Sequence, residues 1–362
     1  DSSEILSNSI KMQSWDGSVW QTYPSILSGD TLQNGVFVTA SNYPISRTFT
    51  GFVPIASPAV SIYTWNGSVN QDFQVAANWT PARTILQPSD QLVFSDGLLD
   101  SIVNIPNQVI GRMSVLNQTQ VLLTSNNITL SLASDNDTTT NELYIATGST
   151  LRIKASNQKM NFINQNNRAL IEGRLELQNS STTNVIDFSN CVATVSASGI
   201  LASGGNSTGQ PFLSDATMLR LFGTYEHKYT TTPGYIPFAS WKPGSLVQVI
   251  GALSFTLSNN GVANGFRQTF YNFTYHAPNQ YGNTNFGLDT VQNNFRMIST
   301  GTGTWKGSVL QSKNFFQQGG KIDLSSTNQI SDSLIQTQGI LKNPIVNNQT
   351  QLIFNGTANQ QV

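Results

Sequence analysis

Short strands that alternate apolar and polar residues recur through most of this chain, each introduced by a glycine turn. Five units show the pattern plainly. They are Gly148-Ser149-Thr150-Leu151-Arg152-Ile153, Gly173-Arg174-Leu175-Glu176-Leu177, Gly199-Ile200-Leu201, Gly223-Thr224-Tyr225-Glu226-His227 and Gly244-Ser245-Leu246-Val247-Gln248-Val249. Their glycines stand 25, 26, 24 and 21 residues apart. A period of two places Leu, Ile and Val on one side and Ser, Thr or charged residues on the other. Recurrence at this interval, on strands, marks a coil that stacks one unit on the next. The expected fold is all-β: a parallel, right-handed β-helix, or β-solenoid, with a small N-terminal β-module.

The pattern divides the chain into three parts. Residues 1–58 read as a small all-β module or the tail of a preceding β-sandwich. Trp15-Asp16-Gly17-Ser18-Val19-Trp20 has the Asp-Gly signature of a hairpin, and short strands follow at 36–39 and 47–52. Pro54 and Pro58 mark a stiff linker. Residues 59–100 carry Trp65 and Trp79 where a solenoid's first turn would need a lid, because an open end exposes both core and strand edge. A sugar-stacking platform is the alternative for these two indoles. Residues 101–362 form the solenoid, its strands longer and richer in Phe after Gly251. A strand at 351–354 lies so near Val362 that further turns or a further domain are expected to follow.

Composition narrows the function classes. Charged residues make up 10%, against roughly 25% in an ordinary globular protein, and Asn, Gln, Ser, Thr and Gly take their place. With 18 basic and 19 acidic residues the net charge is −1, which offers no field for nucleic acid. No apolar run approaches the length of a membrane span, so no membrane insertion is expected. The single cysteine, Cys191, excludes an internal disulfide and a thiolate zinc cage; its strand-like surroundings suit an inert buried thiol.

Two passages carry a resemblance beyond periodicity. One is Tyr63-Thr64-Trp65-Asn66-Gly67 with Ala77-Asn78-Trp79. The other runs from Gly223 through Ser240-Trp241-Lys242-Pro243-Gly244 to Gln268-Thr269-Phe270-Tyr271-Asn272-Phe273-Thr274-Tyr275. Over roughly residues 61–310 the chain resembles the large repetitive β-helical surface proteins that Bacteroidota export by type IX secretion. It departs from them at Lys242, where Asn is frequent, and at Tyr275-His276-Ala277; it also shows no signal peptide or C-terminal sorting domain. The resemblance implies an extracellular or cell-surface protein, adhesive or fibrous. It also implies O-glycosylation at Asp-Ser/Thr-apolar-type sites, which here fall on Thr31, Ser101, Thr138, Thr290 and Ser333. Asn-x-Ser/Thr triplets, as at Asn78 and Asn272, follow from composition alone.

Three constellations are candidates for chemistry. Asp135 and Asp137, with Glu142 nearby, can offer oxygens to a weakly held Ca²⁺, but no third carboxylate lies at useful spacing and a solvated loop is the favoured reading. Glu226 and Lys228 should share one face of their strand and His227 the other, so the three cannot converge; His276 lies two or so coils on. Tyr225, Trp241, Tyr271 and Tyr275 are dense enough to line an outer face and stack on sugar rings, with core packing as the competing reading. No catalytic residue and no cofactor is expected. The role expected is structural or adhesive: a stalk, filament subunit or adhesin that meets other copies of itself, other surface proteins or a polysaccharide. The alternative is a carbohydrate-binding or polysaccharide-degrading β-helix, which would require clustered carboxylates.

Overall fold

The computed structural model describes residues 61–133, 140–164, 166–179, 184–205, 209–257, 264–324 and 329–342, and the backbone alone of 10–15, 20–23, 53–54 and 351–354. The chain separates into two compact units, 1–60 and 61–362. In the first, Ile10–Trp15 pairs antiparallel with Trp20–Tyr23, Trp15 opposite Trp20, and Val53–Pro54 adds to the other edge. The strands expected at 36–39 and 47–52 lie outside the described residues.

The second unit is a β-solenoid of about nine turns, all-β and built from parallel strands. Its early turns have three sides. Leu143–Ile145, Thr150–Ile153 and Lys159–Phe162 form one turn, and Asn167–Ile171, Arg174–Asn179 and Val185–Asp187 stack on it in register. Rungs repeat at the ~4.8 Å spacing of paired strands. Later the sides merge. The strand Thr284–Ser299 pairs in succession with Phe255–Thr256, Thr269–Phe270 and Asn272–His276, so one long strand runs beneath three short ones. Trp305–Gln317 then stacks on it, with a register shift that puts a bulge near 291–294. No helix among the described residues is long and apolar enough to cross a membrane.

Period-two alternation gives the interior its columns. Along the longest sheet Val121, Leu151, Leu175, Leu201, Tyr225, Val247, Phe273, Phe295, Phe315 and Leu334 sit directly above one another. All are buried. Where the turns widen, aromatic rings supply the volume: Phe162, Phe188 and Phe212 stack at 5.8 and 6.3 Å between centroids. Such a stack adds geometry-specific attraction to the area it removes from water.

The recurring glycines have a steric cause that periodicity alone does not reveal. A Cβ on Gly173 would lie 2.3 Å from the carbonyl oxygens of Ala146 and Ser149, and one on Gly199 would lie 2.1 Å from that of Ile171. Each turn rests on the backbone of the turn below, and no side chain fits between them. At Gly148 and Gly244 the reason differs: their φ angles of 80° and 91° are left-handed, where a side chain is strained.

The open end is closed by Trp65, Phe73, Trp79 and Phe94. Trp79 meets Trp65 at 5.0 Å and Phe73 at 5.1 Å, both edge to face. The indole N–H of Trp65 donates to Asp100 and that of Trp79 to the Phe73 carbonyl. Both tryptophans are buried, so they form a lid and present no face to a sugar. Arg83 lies among these rings, paired at 2.8 Å with the buried Asp90. The strand Trp79–Thr80 runs antiparallel to Ile62–Trp65 and ends the parallel ladder.

Gly199→Ala should therefore cost about 1–3 kcal/mol, the penalty of forcing a methyl into a fixed contact. The expected readout is a lower urea midpoint with the β-rich circular dichroism spectrum retained; an unchanged midpoint would contradict the stacked turns.

Candidate functional site

Chemistry on a solenoid's exterior is set by columns, because an outward residue on one rung meets its counterparts above and below. Two neighbouring outward columns of the long sheet concentrate the charge. The first reads Leu122, Arg152, Glu176, Ala202, Glu226 and Gln248, and the second places Gln178, Gly204 and Lys228 in register. Lys154 follows Ile153 at the foot of the second column, since Ile153 is opposite Leu177.

A ladder of ion pairs crosses these rungs. Glu176 receives Arg174 at 2.8 Å, Arg152 at 3.1 Å and Lys228 at 3.2 Å. Glu226 receives Arg174 and, at 3.2 Å, Lys228. Arg174 and Lys228 each straddle the rung of Ala202, whose short side chain is buried beneath them. Burial alone would raise the Glu176 carboxyl, yet Arg174, Lys228 and Arg152 outweigh it and hold it at about 2. The same opposition, won by Arg174 and Lys228, lowers Glu226. Both carboxylates are engaged as ion-pair acceptors.

Beside the ladder lies a groove of about 480 Å³. Gly204 and Gly205 line it, with Gly205 partly exposed, and Lys154, Ser156, Gln178 and Lys228 complete the lining beside them. Gly204 has no room for a side chain, since a Cβ would lie 2.7 Å from that of Lys228. A second groove of about 660 Å³ follows the bulge near residue 291, between Thr290, Gln311, Lys313 and Asp332. Lys313 and Asp332 balance there, whereas the first groove has an excess of cations.

The residues expected to stack on sugars are not on this surface. Tyr225 and Tyr275 are wholly buried and Trp241 is 7% exposed, which corrects the expectation of an outer aromatic row. Tyr225 donates to the Tyr235 carbonyl, and Tyr275 to Gln280. Trp241 donates its indole N–H to Gln268 and packs 5.1 Å from Phe270. Tyr271 alone of the four is partly exposed.

Alternation places the histidines as expected. His227 is buried opposite Glu226 and Lys228, its Nε2 donating to the Pro233 carbonyl at 2.7 Å; burial pushes it down to about 4, so the ring is neutral. His276 lies two rungs on in an outward column, away from it. Cys191 is buried, and burial pushes its thiol up, away from the reactive thiolate. Asp135 and Asp137 lie outside the described residues, as do Thr31 and Thr138. Among the described residues no three His, Cys, Asp or Glu side chains gather as for a metal.

Ser101 and Thr290 are partly exposed on their strands. Ser333 is buried and donates to Asn314 at 2.9 Å, and Asn78 is buried with its amide bound to Asn70 and the Asp72 carbonyl. Neither side chain is presented to a glycosylating enzyme, which corrects the expectation at Ser333 and accords with the compositional origin of the triplet at Asn78. The groove residues Lys154, Gln178 and Gly204 escape sequence reasoning; the one local signal is the Gly204-Gly205 pair inside a strand, where glycine often marks close approach.

Glu176→Gln should lower stability by about 2–3 kcal/mol at pH 7, since it leaves three cations without their shared partner. The sign follows from a depressed carboxyl: its contribution is complete above the ordinary carboxylate range and is lost as pH falls towards 2. Thermal melts of wild type and variant should converge between pH 4.5 and 2; a constant gap would contradict the ladder. No protein-family model, curated protein sequence or solved structure matches this chain.

Proposed function

We propose that this chain is a structural and adhesive element of the cell surface or extracellular space: a stalk, filament subunit or adhesin. The observation that carries the reading is the unbroken interior column from Val121 to Leu334, each rung hydrogen-bonded to the next. A stack of this kind is stiff along its axis, because bending it would open many backbone bonds and expose the column at once. Its outer columns carry Thr, Gln and Asn, and its principal carboxylates are occupied in ion pairs. Asparagines ladder across rungs too, as Asn293 to Asn272 at 3.0 Å and Asn314 to Asn294 at 3.1 Å. The resemblance to type IX-exported surface proteins points to the same compartment.

A second reading, carbohydrate binding, is favoured by the groove over Gly204, whose amide, hydroxyl and ammonium groups suit a polar ligand. A polysaccharide-degrading role would need a free acid and base, which the engaged Glu176 and Glu226 do not offer.

Antibody raised to the purified chain should label intact, unpermeabilised source cells. Label that appears only after lysis would refute the surface role. Release of sugar fragments from a polysaccharide panel by the purified protein would replace this reading with an enzymatic one.

A further inference from the structure

We infer that the groove over Gly204 and Gly205 binds a carboxylated polysaccharide, a uronate-bearing chain lying along the solenoid axis. This deepens the adhesive reading by naming its ligand class, and it rests on that reading for the surface the protein meets.

Charge comes first. Around the groove stand four cations, Arg152, Lys154, Arg174 and Lys228, against two carboxylates, Glu176 and Glu226. The whole chain has a net charge of −1, so this excess is local. Both guanidiniums are committed to Glu176 or Glu226, and Lys228 is shared between the two. Lys154 is exposed at the rim, and no carboxylate among the described residues pairs with its ammonium. The groove is therefore a place where an incoming anion meets a cation that no carboxylate among the described residues holds.

Shape comes second. Lys154 and Lys228 belong to one column with Gln178 and Gly204 between them, three rungs apart, or roughly 14 Å at 4.8 Å per rung. That span exceeds a single small anion and suits an extended polymer with periodic charge. Gly205, partly exposed and without a side chain, leaves backbone open at the groove, so a sugar ring can lie against it; Gln178 and Ser156 offer an amide and a hydroxyl to ring oxygens and hydroxyls. No aromatic residue is among the described lining, which argues against neutral sugars held by stacking and against the base stacking of single-stranded nucleic acid. Ammonium groups with free Arg forks absent favour a carboxylate over the bidentate recognition typical of phosphate.

The test is calorimetric titration of the full chain at low salt with oligogalacturonate, maltohexaose, a sulfated dextran and a single-stranded DNA oligomer. Oligogalacturonate should bind, weaken as salt rises and lose roughly tenfold or more in Lys154→Glu. Lys154→Arg should retain binding and melt as the wild type does, whereas Gln178→Ala should weaken binding and, because the Gln178 amide donates to Glu176 at 3.1 Å, lower the melting temperature slightly. Lys154 stands outside the ion-pair ladder, so its variants should melt as the wild type does. No binding of oligogalacturonate, binding indifferent to Lys154→Glu, equal binding of maltohexaose, or binding only of sulfated dextran or DNA would each overturn the inference. Absent binding with intact surface labelling removes the ligand alone; labelling only after lysis removes the surface role itself.

Discussion

Everything in the second unit depends on backbone hydrogen bonds between successive turns, at a spacing that tolerates nothing larger than hydrogen where the turns touch. The carbonyl of Gly199 lies 2.1 Å from where a Cβ on Gly223 would be, and Gly199 stands in the same relation to Ile171. Once those contacts fix the stacking, register follows. Every side chain then has a counterpart one rung above and one below, inside or outside. An apolar choice repeated inside becomes a column, and a polar choice repeated outside becomes a ladder.

The same rule builds the exterior. Glu176 and Glu226 lie on rungs separated by that of Ala202, and the long side chains of Arg174 and Lys228 bridge the interval because Ala202 and Gly204 leave it empty. Small residues on one rung thus serve two ends: they let the ion pairs form across it, and they leave a groove beside them. Neither feature belongs to a single strand. Both are properties of the stack.

Much of the fold was legible because it is written locally. The glycine interval reports the length of a turn, and alternation reports inside from outside. The tryptophans at 65 and 79 read as a lid because an open end requires one, and they are buried as such. The aromatic row was misplaced for a reason contained in the sequence. The parity that sends Glu226 and Lys228 outward sends Tyr225 and Tyr229 inward with His227, and all three are buried. The ladder and groove were not legible. Arg174 meets Glu226 across 52 residues, and only the register between rungs, not any motif, brings them together.

The claim on which the rest stands is in-register stacking, and distances between spin labels along one outward column measure it directly. Gln120, Thr150, Arg174, Ile200, Thr224 and Leu246 occupy successive rungs of such a column, and the lone native thiol, Cys191, is buried from the label. Labels at Gln120→Cys with Thr224→Cys should lie about 19 Å apart at the backbone, and Gln120→Cys with Leu246→Cys about 24 Å, one rung of roughly 4.8 Å more. Separations that fail to grow by one strand spacing per turn would contradict the account.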